Sequence, residues 1–209
     1  MTFFSEQFLV LASAHFLALL SPGPDFFVLV GNTAKHGVRS GMGVAVGIAS
    51  ANAAYIGAAL MGFSLLTGNA VLHALVRWMG TAFLAWLGWA LIRSARAGKE
   101  WRSATGPQEW RGFRAGVLTG LLSGGLNPKN GLFYLGLFSF ALARETPFGV
   151  RALYGVWMFA VVLGWDVLLV LCLRTSAATN LLHRHRPMIE GVAGACLLGL
   201  ALVIAVGVI

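Results

Sequence analysis

The sequence predicts an all-α integral membrane protein of six transmembrane helices, arranged as two inverted three-helix repeats with broken helices 1 and 4. Three observations carry this expectation. The composition is too apolar for a water-exposed surface, six apolar segments are long enough to cross a bilayer, and proline-containing breaks interrupt the first and fourth of them.

The 209 residues are 58% hydrophobic and only 11% charged, with a mean hydropathy of +0.79. A soluble domain carries about 25% charged residues, so lipid is the solvent this chain can meet. A formal charge of +8 would suggest nucleic acid if it were gathered on a polar domain. Here the basic residues are scattered between apolar runs, and no nucleic-acid partner is expected. Ala12-Ser13-Ala14 resembles a signal-peptide cleavage site, but no basic residue precedes it and the apolar run continues past it. The segment therefore reads as the first span. Cys172 and Cys196 lie in apolar runs and read as small packing residues, neither disulfide partners nor metal ligands.

A helix crossing the ~30 Å hydrocarbon core needs about 20 apolar residues. The six qualifying segments are Phe8–Val30, Gly43–Leu66, Val71–Leu91, Phe113–Ala143, Gly149–Leu173 and Ile189–Ile209. Thr67-Gly68-Asn69 is the turn signal between the second and third. The one long polar stretch, from Arg93 to Arg111 with Gly98, Gly106 and Pro107, divides a single membrane domain into halves. Residues 1–92 form the first repeat, 93–112 the cytoplasmic linker and 113–209 the second repeat.

Lysine and arginine set the orientation. The first, third and fifth connections hold eleven: Lys35, Arg39, Arg93, Arg96, Lys99, Arg102, Arg111, Arg114, Arg174, Arg184 and Arg186. The opposite side has three, Arg77, Arg144 and Arg151. Positive loops stay in the cytoplasm, so the N- and C-termini are both expected outside. An odd number of spans per half makes the second half run opposite to the first, the inverted-repeat plan of many secondary transporters. The halves also match in residues. Leu19-Leu20-Ser21-Pro22-Gly23-Pro24-Asp25 has its counterpart in Leu121-Leu122-Ser123 and the following Asn127-Pro128-Lys129-Asn130. Gly37-Val38-Arg39 matches Gly149-Val150-Arg151.

Proline inside a spanning helix removes a backbone hydrogen bond, and in lipid the freed groups need protein or a water-filled cavity beside them. The breaks at Ser21, Pro22, Gly23 and Pro24 and at Pro128 are thus either kinks that improve packing or the walls of a site. Two at matching depth, each beside an ionisable residue, favour a site whose half-helix N-termini can bind an anion. Asp25, Lys129 and Asp166 lie deep in spans, where a charge costs roughly 2.5–3.5 kcal/mol. Lys129 paired with one aspartate is the plain reading. The sharper one has Lys129 binding a carboxylate while an aspartate takes an amine or a coupling proton. His15, a turn or two before the first break, reads as a packed or water-facing side chain. On the second span, Gly43, Gly47, Ala51, Ala54 and Ala58 form a small packing face, while Asn52 and Tyr55 face another way and could line a polar pathway. Gly191, Ala195 and Gly199 in the last span could serve a homodimer contact.

Ser21-Pro22-Gly23-Pro24-Asp25, Arg77-Trp78-Met79-Gly80 leading to Leu84, Leu87 and Gly88, Asn127-Pro128-Lys129, and Asp166 in the fifth span together resemble the lysine exporter (LysE/RhtB) family over essentially the whole chain. The resemblance implies export of amino acids by an inner-membrane secondary carrier, against proton uptake. Phe138-Ser139-Phe140 departs from that family's usual Pro-Gln-Phe. On this reading Asp25 and Asp166 handle the amine and the proton. Lys129, Asn127, Asn130 and exposed helix amides hold the substrate carboxylate, and Asn52 and Tyr55 line the path. Substrate and lipid are the expected partners, with neutral amino acids slightly favoured and no cofactor. A divalent-cation or other ion transporter is the first alternative, though metal sites want clustered oxygen ligands and only two deep carboxylates are present. An intramembrane enzyme is the second, and no His-Glu-x-x-His or Gly-x-Ser-x-Gly constellation appears.

Overall fold

A computed structural model describes residues 6–20, 23–67, 70–97, 112–142, 146–173 and 176–206. These form eight helices and no strand among the described residues: α1 (Glu6–Leu19), α2 (Pro24–His36), α3 (Val38–Thr67), α4 (Ala70–Ala97), α5 (Phe113–Leu126), α6 (Pro128–Ala141), α7 (Phe148–Cys172) and α8 (Ser176–Ala205). The six apolar segments correspond in order to α1 with α2, α3, α4, α5 with α6, α7, and α8.

Four helices are long and apolar enough to cross a membrane: α3 over Val38–Gly62, α4 over Ala74–Ala97, α7 over its length, and α8 over Pro187–Ala205. The shortest of these windows has 19 residues, about 28 Å at 1.5 Å per residue, close to the hydrocarbon thickness. Helices α1 and α2 pass the same test together, bent by 51°. Several helices outrun the apolar segments. Helix α8 starts at Ser176, well before Ile189, and α4 continues to Ala97, so residues 93–97 of the expected linker are helical. Alanine and arginine are good helix formers, and a helix may leave the lipid while its backbone stays hydrogen-bonded. The rest of the linker, 98–111, and Gly68-Asn69 lie outside the described residues.

Close backbone contact holds the helices together. A Cβ on Gly47 would collide with the Val117 carbonyl of α5, and one on Gly120 with the Val44 carbonyl of α3. Gly43, Gly47 and Ala51 of the small-residue face of α3 therefore pack on the glycine ridge of α5, whereas Ala54 and Ala58, expected on the same packing face, are exposed. The same device joins α4 to α6, where a Cβ on Gly80 would lie 2.5 Å from Gly136 Cα. It also joins α4 to α8, where one on Gly88 would lie 2.7 Å from the Gly194 carbonyl oxygen. The stripe proposed for a homodimer is mostly open: Ala195 is exposed, and nothing lies within 4 Å of a Cβ on Gly199.

Two apolar clusters make the core. One draws Leu11, Leu84, Leu137 and Leu197 from α1, α4, α6 and α8. The other draws Leu29, Val44, Ala49 and Val170 from α2, α3 and α7. The exterior is apolar too, with Met61, Trp78, Trp86, Leu126 and Val192 exposed, more than a water-facing surface tolerates and suited to lipid. Cys172 and Cys196 are free and exposed on this exterior, rather than packed inside as expected, because their positions on α7 and α8 face away from the bundle.

Candidate functional site

The two breaks share one local construction. Gly23 is the extended N-cap of α2, followed by Pro24 and then Asp25. Asn127 is the extended N-cap of α6, followed by Pro128 and then Lys129. Proline suits the first helical position, because its missing N–H would have had no intrahelical partner. Ser21 and Pro22 lie outside the described residues. The caps differ. The Lys129 backbone N–H donates to Asn127 Oδ1 at 3.1 Å, whereas α2 has no side-chain cap. An acid at a helix start is favoured by the dipole and a base is disfavoured. Asp25 obeys that rule and Lys129 breaks it.

Asp25 is the hub. Its Oδ1 accepts from the Ser123 hydroxyl at 2.6 Å. Its Oδ2 accepts from Asn127 Nδ2 at 2.9 Å and from Asn130 Nδ2 at 2.8 Å. The amide donors of Asn127 and Asn130, expected to work with Lys129 on a substrate carboxylate, point here at Asp25. This arrangement also removes the expected free amides of α6, since Asn127 occupies the Lys129 N–H, and the Asn130 N–H donates to the Asn127 carbonyl at 3.1 Å. Asp25 thus carries one hydroxyl and two amide donors. Lys129 Nζ donates to the Ala18 carbonyl at 3.3 Å, across the first break.

A small polar cavity of about 70 Å³ opens beside these groups, lined among others by His15, Asp25, Asn52, Lys129, Tyr134 and Asp166. The structure thus brings Asp25, Asn52, Asn127, Lys129, Asn130 and Asp166 to one place. Asp166 is 7% exposed, and its Oδ2 has no hydrogen-bond partner among the described residues. Asn52 is buried, its amide held by the Ile48 carbonyl at 3.0 Å. Tyr55 does not line the cavity. Its hydroxyl donates to the Gly125 carbonyl at 2.7 Å, satisfying one of the acceptors stranded where α5 ends, so it braces the break.

Ser123 and His15 are the residues the sequence reading left out of the site. Ser123 had a signal, its match to Ser21 in the repeat, but nothing aimed it at Asp25. His15 is 1% exposed, lies among the rings of Phe133, Tyr134 and Trp157, and its Nε2 is 3.4 Å from the Tyr134 hydroxyl. It is packed, as expected, but packed against the cavity.

A second, larger cavity of about 480 Å³ adjoins the first, with Gly23, Asn127 and Lys129 in both linings. Its other walls are mostly apolar and run along α4.

Residues 16–207 match the family model described as LysE type translocator. The chain belongs to that family. This LysE-type translocator is 30% identical over 200 residues to a protein named threonine efflux protein of Escherichia coli (strain K12), covering 92% of this chain and 94% of the relative. It is 28% identical over 200 residues to the threonine efflux protein of Salmonella typhimurium, with the same coverage. A leucine efflux protein of Klebsiella pneumoniae subsp. pneumoniae is 29% identical over 121 residues, covering 57% of this chain and 56% of the relative. No solved structure matches the translocator. Family and apolar helices together make it a multi-pass membrane protein.

Proposed function

We propose that the protein exports amino acids with neutral side chains across the inner membrane, exchanging each for a proton. The observation that carries this is the Asp166 oxygen that has no partner among the described residues, buried on the wall of a cavity that also holds Lys129. A buried carboxylate oxygen without a donor is costly, and an ammonium group or a proton removes that cost. Lysine at the start of α6 supplies the complementary cation for a carboxylate. Both charges of an α-amino acid thus have a partner in one cavity, and Asp25, saturated by Ser123, Asn127 and Asn130, holds the two breaks in register. That relatives of nearly full overlap are named efflux proteins for threonine supports the direction and the solute class.

On this reading all six apolar segments cross the bilayer, with α1–α2 and α5–α6 each forming one interrupted span and both termini outside, as the eleven-to-three distribution of Lys and Arg requires. Asp166 is the proton carrier. Inside-out vesicles containing the protein should accumulate one or more neutral amino acids saturably when a pH gradient is imposed. Saturable uptake of a divalent cation and of no amino acid would overturn the proposal in favour of the ion-transporter alternative.

A further inference from the structure

The cavity that holds Asp25, Lys129 and Asp166 offers about 70 Å³, much less than its neighbour. The adjoining crevice offers about 480 Å³, within the ~300–1,000 Å³ typical of small-molecule sites. Phe83, Trp86, Leu87 and Ala90 of α4 and Leu132 of α6 wall it. These α4 residues recur at spacings of three and four, one face of a helix. The crevice begins at Gly23, Asn127 and Lys129, the same residues that close the polar cavity, and reaches Ser94 near the end of α4. Glycine at position 23 leaves no side chain at this junction.

Resting on the proposed amino-acid export, we infer that this crevice is the side-chain subsite, and that the preferred substrates carry large apolar side chains such as leucine or phenylalanine rather than threonine or alanine. The occupant follows from charge complementarity and continuity. Lys129 stands where the two cavities meet, so a carboxylate held there directs the ammonium toward Asp166 and the side chain along α4. Threonine gains little from such walls, because its hydroxyl would lie against aromatic and aliphatic surface. Each methylene placed in an apolar pocket is worth about 10-fold or more in discrimination, so leucine gains substantially over alanine.

The test is competition for transport in proteoliposomes across alanine, threonine, valine, leucine and phenylalanine, with three variants alongside. Leucine should be preferred over alanine by at least about 10-fold. Ala90→Phe, which fills the crevice, should erase most of that preference by lowering leucine transport about 10-fold more than alanine transport. Leu132→Trp, on the more exposed wall, should do the same if Ala90→Phe fails to fold. Trp86→Ala should shift preference toward phenylalanine. Transport of threonine and alanine as efficient as that of leucine, with the variants affecting all substrates alike, would leave lipid as the crevice's occupant and overturn the inference alone. Failure to move any of the five amino acids would overturn the inference together with the reading beneath it.

Discussion

Asp25 and Lys129 hold the same position in two different helices, the residue after the proline that restarts the chain beyond a break, and one asparagine serves both. Asn127 accepts the Lys129 backbone N–H at 3.1 Å and donates its side-chain nitrogen to Asp25 Oδ2 at 2.9 Å. The start of α6 and the start of α2 are therefore tied by a single side chain, and any motion that opens the site between them must break or carry this link.

Asn127→Ala should lose both functions at once. The cap contributes ~1 kcal/mol, and a hydrogen bond to a charged group ~2 kcal/mol. Thermal unfolding in detergent should begin at clearly lower temperature, and transport should fall. Asn127→Asp keeps the cap acceptor but sets a carboxylate against Asp25, so it should transport worse than it unfolds. Equal behaviour of Asn127→Ala and the parent in both assays would show that the link is incidental.

Lys129→Ala should slow transport about 10- to 100-fold, the equivalent of a charged hydrogen bond of ~1.5–3 kcal/mol, while the protein remains inserted. Lys129→Arg should also be impaired, because the guanidinium is larger and planar and does not replace a compact ammonium. Transport kinetics measured beside membrane abundance check this. Normal transport by Lys129→Ala would reduce the lysine to a structural partner of the Ala18 carbonyl.

Much of this candidate site is legible in the sequence. Charges stand out in apolar runs, so Asp25, Lys129 and Asp166 were visible as site candidates. Proline at a helix start is a local signal, and Pro24 and Pro128 mark the two restarts. What stayed hidden is long-range. Ser123, Asn127 and Asn130 lie 98 to 105 positions from Asp25, and no periodicity tells where an amide will point. Asn127 and Asn130 lie near Lys129 in sequence, but the acceptor their amides reach in space is Asp25. Tyr55 faced the right way to reach the pathway, but the carbonyl stranded at the end of α5 claimed its hydroxyl. The ends of α4 and α8 were placed too close in because hydropathy marks where lipid ends, not where helix ends.

Pro24→Ala and Pro128→Ala are expected to lower turnover several-fold with little change in abundance. An alanine can donate its N–H and extend the helix backward, closing the interruption that exposes the site. Unchanged turnover and unchanged expression would mean that the prolines are tolerated kinks.

Cysteines placed at Thr2 and Gly98, in a background lacking Cys172 and Cys196, should react with impermeant reagents from opposite sides, Thr2 from outside. The expectation follows from the charge asymmetry and from six crossings. Labelling of both from outside would refute that count, leaving one apolar segment that enters and leaves on the same face.

The proposed coupling rests on Asp166. The sequence has no Gly-x-x-x-x-Gly-Lys-Ser/Thr loop for a nucleotide, so an ion gradient is the expected energy source. Asp25 is a poor carrier for that ion, because three donors already hold its carboxylate, and releasing it would unlock both breaks. Asp166 has the opposite surroundings. It is buried six residues before the end of α7, has one oxygen without a partner among the described residues, and faces the cavity. A proton and a substrate ammonium can each satisfy that oxygen, but not both at once, and mutually exclusive occupancy of one group is what exchange requires. In proteoliposomes, uphill substrate movement should follow an imposed pH gradient. Asp166→Asn removes the proton acceptor while leaving a polar side chain of the same size, so it should lose uphill transport and retain downhill flux or exchange at reduced affinity. Wild-type uphill transport by Asp166→Asn would move the coupling elsewhere, and flux that follows a sodium gradient but ignores pH would replace the proton altogether.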